Sequence, residues 1–296
     1  MTATAIILAL ASALGYGLGL TLTQFGLRDV PPATGAAISI PTSALLFVVA
    51  APVGLAGTTP VWSALPVFAA VGLLFPAAAT LITFAANRRL GPVITGSLGN
   101  LAPVFAVLLA VVLLGEPIRV GQTLGLAIIF GGVILLRAPR QGKHRSLDEA
   151  NRRRWASWLV ALPIAVAALR GCIQPAIKLG LAVWPSPFAA VLIGYVVSAA
   201  VVIVALRLRS GRWRPAGPIR GVLWFVGVGL SNGLAVLLMY AALARGPVAL
   251  VSPLVATYPL VTVAGSALVL GAVDLRRGVV AGAALTVAGV ALLLVT

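Results

Sequence analysis

Leu90-Gly91-Pro92-Val93, which heads one apolar stretch of this 296-residue chain, comes back as Arg245-Gly246-Pro247-Val248. Outward from it, Pro103 returns as Pro259 and Leu114-Gly115 as Leu270-Gly271. Gly121, Gly125, Gly132, Val133, Leu135 and Leu136 then recur as Gly278, Gly282, Gly289, Val290, Leu292 and Leu293. The offset drifts only from 155 to 157 residues, as one-residue loop insertions cause. One unit is present twice, and in a membrane-embedded chain such a duplication points to transport.

Composition places the chain in a bilayer. With 61% hydrophobic residues, 9% charged residues and a mean hydropathy of +1.13, it carries more apolar surface than a soluble domain of this length can bury. Apolar stretches of about 20 residues, the length that crosses a hydrocarbon core of about 30 Å, follow one another from end to end. They predict an all-α integral membrane protein of ten transmembrane helices, at 5–26, 34–54, 64–86, 93–113, 121–137, 157–180, 187–206, 221–243, 248–270 and 278–295. Continuous apolarity is not the alternation of a β-barrel strand. The N-terminus lacks a basic leader region, so its first apolar run reads as a span.

The units are residues 1–137 (spans 1–5), a linker at 138–156, and residues 157–296 (spans 6–10). Five spans per unit is odd, so the second unit enters the membrane from the opposite face. Two inverted five-helix repeats leave a site between them near the midplane, which opens to either side by rocking or gating. A channel calls for charged rings or a carbonyl filter, and neither is visible.

The net charge of +16 is set by where the cations fall. The connections after the odd-numbered spans hold 17 of the 21 Lys and Arg residues; the opposite side has Arg119 and Arg245, and Arg170 and Lys178 lie within span 6. This asymmetry predicts cytoplasmic odd-numbered loops and both termini outside the cell membrane. The basic residues are not interleaved with aromatics on a folded surface, which argues against nucleic acid. The expected partners are the lipid bilayer and a small-molecule substrate, and the expected unit is a monomer. Cys172, the one cysteine, and His144, the one histidine, form no His/Cys/carboxylate cluster, so no metal, no cofactor and no enzyme chemistry is expected.

Several motifs now carry a family likeness. Tyr16-Gly17 in span 1, Gly91-Pro92 before span 4, Leu114-Gly115-Glu116-Pro117-Ile118 after it and Lys178-Leu179-Gly180-Leu181 closing span 6, in the order of two five-helix units, resemble the EamA family of the drug/metabolite transporter superfamily over nearly the whole chain. The resemblance implies a secondary transporter, often an exporter of amino acids or other small metabolites, with ten helices around a central cavity. It also implies cytoplasmic termini, opposite to the charge count, and the charge count is retained because it acts on this chain. A lipid-phosphate flippase or membrane-embedded enzyme is the alternative reading.

Polar residues deep in the spans are the candidate substrate contacts. Arg170, near the centre of span 6, costs at least about 2.5 kcal/mol to insert and must face protein or water. None of the five acidic residues (Asp29, Glu116, Asp148, Glu149, Asp274) lies within a span to pair with it. Its planar fork suits a carboxylate or phosphate; the competing reading has it donating to backbone carbonyls or snorkelling. The same lack of acids disfavours a membrane-embedded carboxyl as proton carrier. Gln174 lies one turn from Arg170 on the same face, while Lys178 reads as a snorkelling interfacial residue. In span 1, Tyr16, Leu20 and Gln24 occupy the positions matching Arg170, Gln174 and Lys178. Asn100, Ser252, Tyr258, Trp224 and Asn232 complete the substrate-binding candidates, with Pro103 and Pro259 freeing carbonyls that line a wet path. Glu116 is expected to cap a helix or pair with Arg119.

Overall fold

In the computed structural model, residues 2–90, 98, 101–118, 120–136, 161–211, 213, 215, 217–270 and 277–295 are described, and they form helices and connections with no strand. In chain order the helices are α1 (Thr2–Gly26), α2 (Pro32–Gly54), α3 (Leu65–Gly72), α4 (Ala79–Leu90), α5 (Ala102–Leu114), α6 (Val120–Leu136), α7 (Ala161–Val183), α8 (Pro187–Ser210), α9 (Ile219–Leu243), α10 (Val248–Val255), α11 (Tyr258–Leu270) and α12 (Arg277–Val295). Among the described residues, seven helical segments are long and apolar enough to cross a membrane, and shorter apolar helices cover Ala102–Leu114, Val120–Leu135 and Val280–Leu292. Ile7, Leu45 and Val49 are more than 60% exposed within α1 and α2. Such surfaces are stable only against lipid, so the chain is a multi-pass membrane protein.

Local chemistry sets the ends. Pro32 and Pro187 begin α2 and α8, where a missing N–H costs nothing, and Ser186 caps α8 by accepting from the Ala189 amide at 3.2 Å. Gly115 and Gly211 stop α5 and α8 at φ +64° and +69°, a left-handed conformation that glycine adopts without a Cβ penalty. Arg207 and Arg209 sit in the last turn of α8, favourably placed against the helix dipole.

Two expected spans are broken. The stretch predicted as one helix over 64–86 is a 3-10 turn (Trp62–Ala64), α3, a wide π-type segment (Leu73–Ala78) and α4. Phe75 is extended (φ −145°, ψ 134°) because the ring of Pro76 disfavours a helical residue before it. Pro76 also lacks the N–H that would bond the Gly72 carbonyl, and the hydroxyl of Ser198 on α8 donates to that carbonyl instead. The stretch predicted over 248–270 divides into α10 and α11 at Ala256-Thr257, where Pro259 has no N–H to offer the Val255 carbonyl.

Packing joins the two halves throughout. α1 runs antiparallel to α9, with Ser12 Oγ donating to Ala235 O at 2.7 Å and Ser231 Oγ to Gly15 O at 2.8 Å. α2 runs beside α9, tied by Ser43 Oγ to Gly229 O at 2.7 Å, and antiparallel to α8, with the Phe47 ring against Phe188 and Tyr195. α6 and α12 are antiparallel and cross where Gly132 meets Thr286 and Gly282 while Gly289 meets Ile129 and Gly125. These residues are one another's repeat counterparts. The α1–α11 and α7–α5 crossings match likewise: a Cβ on Gly17 would reach Tyr258 O at 2.8 Å, and one on Gly171 would reach Ala102 O at 2.8 Å. The small residues shared by both copies are thus where backbones touch.

Candidate substrate cavity

A cavity of about 490 Å³ lies between the halves, walled by residues of every helix except α3 and α12. It reaches from Tyr16 on α1 to Leu27 just past that helix, and along α2 from Pro32 to Ser43. Its mouth is therefore at the α1–α2 connection, where Asp29 and Val30 meet Gly221 at the start of α9. Arg28, Arg220 and the end of α8 with Arg207 and Arg209 belong to this basic end. At the other end the chain is packed shut: Phe68 and Trp184 are buried against each other, and Gly246 lies on Ala5.

The helix crossings put the chemistry on the wall. Gly17 and Gly171 press against α11 and α5, which turns their neighbours Tyr16 and Arg170 into the cavity from opposite halves. Arg170 Nη2 donates to Thr83 Oγ1 at 3.4 Å, a long contact from the broken third span, and Thr83 in turn donates to Ala79 O at 2.6 Å. Gln174 follows one turn later on the same wall, as its spacing requires. Ser252 on α10, Asn232 on α9 and Tyr258 at the head of α11 complete the polar set, the Tyr16 and Tyr258 ring centroids lying 6.3 Å apart. Among the described residues, Gln174 Oε1 and Ser252 Oγ are buried without a hydrogen-bond partner. Burying such atoms unmet costs about 1–3 kcal/mol each, a demand a polar solute in the cavity would meet. The remaining wall is largely apolar, including Leu20, Ile40, Phe75, Phe130 and Val255.

Six of the eight substrate-binding candidates, Tyr16, Arg170, Gln174, Asn232, Ser252 and Tyr258, thus share one cavity. Trp224 is not on its wall and stacks on Phe25 at 5.1 Å instead. Asn100 lies outside the described residues, as do Arg119 and the linker at 138–156. Pro103 lines the cavity and Pro259 does not. Ser39, Thr80 and Phe75-Pro76 also line it without having been singled out in the sequence; the signal for the last was a proline inside an apolar span. Two further expectations change. Lys178, expected to snorkel, has a fixed partner: its Nζ lies 2.8 Å from Glu116 Oε1. Glu116 does cap a helix, but the one it caps is α10, across the molecule.

The model of the EamA-like transporter family matches residues 3–138 and 156–295, one copy for each half. A solved crystal structure superposes with a TM-score of 0.79 over 99% of this chain and 96% of its own, at 20% identity, which marks a shared fold. No curated protein matches the chain.

Proposed function

Because the chain belongs to the EamA-like transporter family, a family of transporters and not of enzymes, we propose that it is a secondary transporter of small metabolites, exporting or exchanging amino acids or other carboxylate-bearing or amphipathic solutes. The observation that carries this reading is the cavity wall: one guanidinium, two buried polar atoms awaiting partners and an otherwise apolar surface, in a volume within the range of small-molecule sites. Arg170 would take the solute's carboxylate, in a site where charge-assisted bonds are stronger than in water. Gln174 Oε1 and Ser252 Oγ would accept from its ammonium or other N–H groups, with Asn232 beside them and Tyr16 and Tyr258 against its apolar part. Asn100 is retained in this set from the sequence alone.

In this reading the seven long and three shorter apolar helical segments make ten spans, arranged as two inverted repeats; the antiparallel pairing of the counterparts α2 with α8 and α6 with α12 supports it. The protein works as a monomer in the cell membrane, without metal, cofactor or nucleic acid. Its basic end, where the cavity opens, faces the cytoplasm, and both termini face outward. Alternating access then requires the packed end to part while the mouth closes.

Uptake of a labelled amino-acid panel into proteoliposomes, with and without a pH gradient, tests the function. Arg170→Ala is expected to weaken apparent affinity for a transported carboxylate by about 10- to 100-fold, the loss of a charge-assisted hydrogen bond. If no solute moves, or the variant matches the parent, the reading fails. Reporter fusions at the termini test sidedness, and cytoplasmic activity at either end overturns the orientation.

A further inference from the structure

The packed end of the molecule is tied across the halves by one side chain. Glu116 follows the left-handed Gly115 that stops α5, and it is 9% exposed. Its Oε1 accepts from Lys178 Nζ at 2.8 Å and from the Val248 amide at 2.9 Å, and its Oε2 accepts from the Ala249 amide at 3.0 Å. Lys178 Nζ donates further to the Gly246 carbonyl at 2.7 Å. A carboxylate of the first half thus holds the end of α7 and the start of α10, both in the second half. The first amides of α10 have no acceptor within their own helix and carry the positive end of its dipole, so they suit an anion. Among the described residues this is the one ion pair. It stands on the side of the cavity opposite the mouth.

We propose that Glu116, paired with Lys178 on the N-terminus of α10, is the latch that closes the cavity at this end and biases the protein toward the state open at its basic end. The repeat supplies the reason for the bias. The positions equivalent to Lys178 and Glu116 are Gln24 and Ala272, both neutral, so this ion pair has no counterpart at the equivalent positions of the other copy. Parting the latch exposes a carboxylate, an ammonium and two amides, and closing the opposite end brings back no pairing between the equivalent residues Gln24 and Ala272. The two end states of an otherwise symmetric scaffold are therefore unequal in energy. The latch rests on the transport reading for its place in a cycle but not for its test, which needs no substrate.

The test reads access to the cavity. In a Cys172→Ser background, Asn232→Cys places a thiol on the cavity wall. A membrane-impermeant methanethiosulfonate is then applied to intact cells and to inside-out vesicles. The parent labels quickly from the side of the mouth and slowly from the latch side. Lys178→Met and Glu116→Gln are each expected to raise the latch-side rate by about tenfold or more, the shift in population that losing a charged hydrogen bond produces. Lys178→Met leaves the carboxylate on its two α10 amides, so a role limited to capping α10 predicts no change there, and this variant decides the matter if Glu116→Gln does not fold. Unchanged latch-side labelling in Lys178→Met protein that elutes and melts like the parent overturns the latch. Failure of every solute to move in liposomes would overturn the transport reading and leave this result standing.

Discussion

Adjacent glycines in α6 offer a test of the packing that relates the two halves. A Cβ added to Gly131 meets nothing within 4 Å, whereas one added to Gly132 would lie 2.6 Å from the Thr286 amide nitrogen and 2.7 Å from the Gly282 carbonyl oxygen. Both of the latter are backbone atoms of α12 and cannot rotate away. Ordinary contact needs about 3.4–4 Å, so Gly132→Ala must push α6 and α12 apart by roughly 1 Å. Overpacking of this kind costs about 1–3 kcal/mol, while alanine regains about 0.5–1 kcal/mol of helix propensity at either position. The neighbours should therefore differ in sign. Gly131→Ala is expected to stabilise by up to about 1 kcal/mol and Gly132→Ala to destabilise by about 1–2 kcal/mol, read as denaturant unfolding of detergent-solubilised protein. Equal effects at the two positions, or a Gly132→Ala protein as stable as the parent, would refute the α6–α12 crossing and with it the antiparallel pairing of repeat counterparts.

The Gly72 carbonyl, released by Pro76, takes its hydrogen bond from Ser198, whereas Ser12 donates to the Ala235 carbonyl inside the unbroken α9. Ser198→Ala should consequently cost about 1–3 kcal/mol, an orphaned carbonyl in an apolar interior, and Ser12→Ala only about 0.6 kcal/mol; equal losses in the same unfolding measurement would remove the special role given to Ser198. Trp224→Ala removes the stack on Phe25 without touching the cavity wall, so solute affinity in proteoliposomes should stay within about twofold while stability falls by about 0.5–1.5 kcal/mol. A large change in affinity would return Trp224 to the substrate site.

Membrane class, duplication and the position of most spans are legible because they depend on runs of twenty or so residues, over which apolar character adds up. Helix ends are legible where a single residue dictates them, as Pro32, Pro187 and Gly115 do. The broken third span is harder to foresee, since proline is tolerated in membrane helices whenever a neighbour satisfies the freed carbonyl, and the neighbour here, Ser198, is more than a hundred residues away. The cavity is partly legible for a similar reason. Arg170 and Gln174 share a helix face, which spacing fixes, and Tyr16 follows from the repeat. Trp224 and Asn232 lie on the same helix, α9, two turns apart, and only the neighbours of that helix decide that Asn232 meets the cavity while Trp224 meets Phe25.

The sequence by itself determined that this chain lives in lipid, that it is one unit used twice, and that its cations are gathered in a few connections between apolar runs, because each of these is a sum or a period along the chain. Only the tertiary structure decided what Glu116 and Lys178 do. Separated by 62 residues and belonging to different copies, they could each be read alone as a cap and a snorkelling cation. Burial of the carboxylate at the start of α10 leaves it one cationic partner in reach, and that partner is a matter of distance in space.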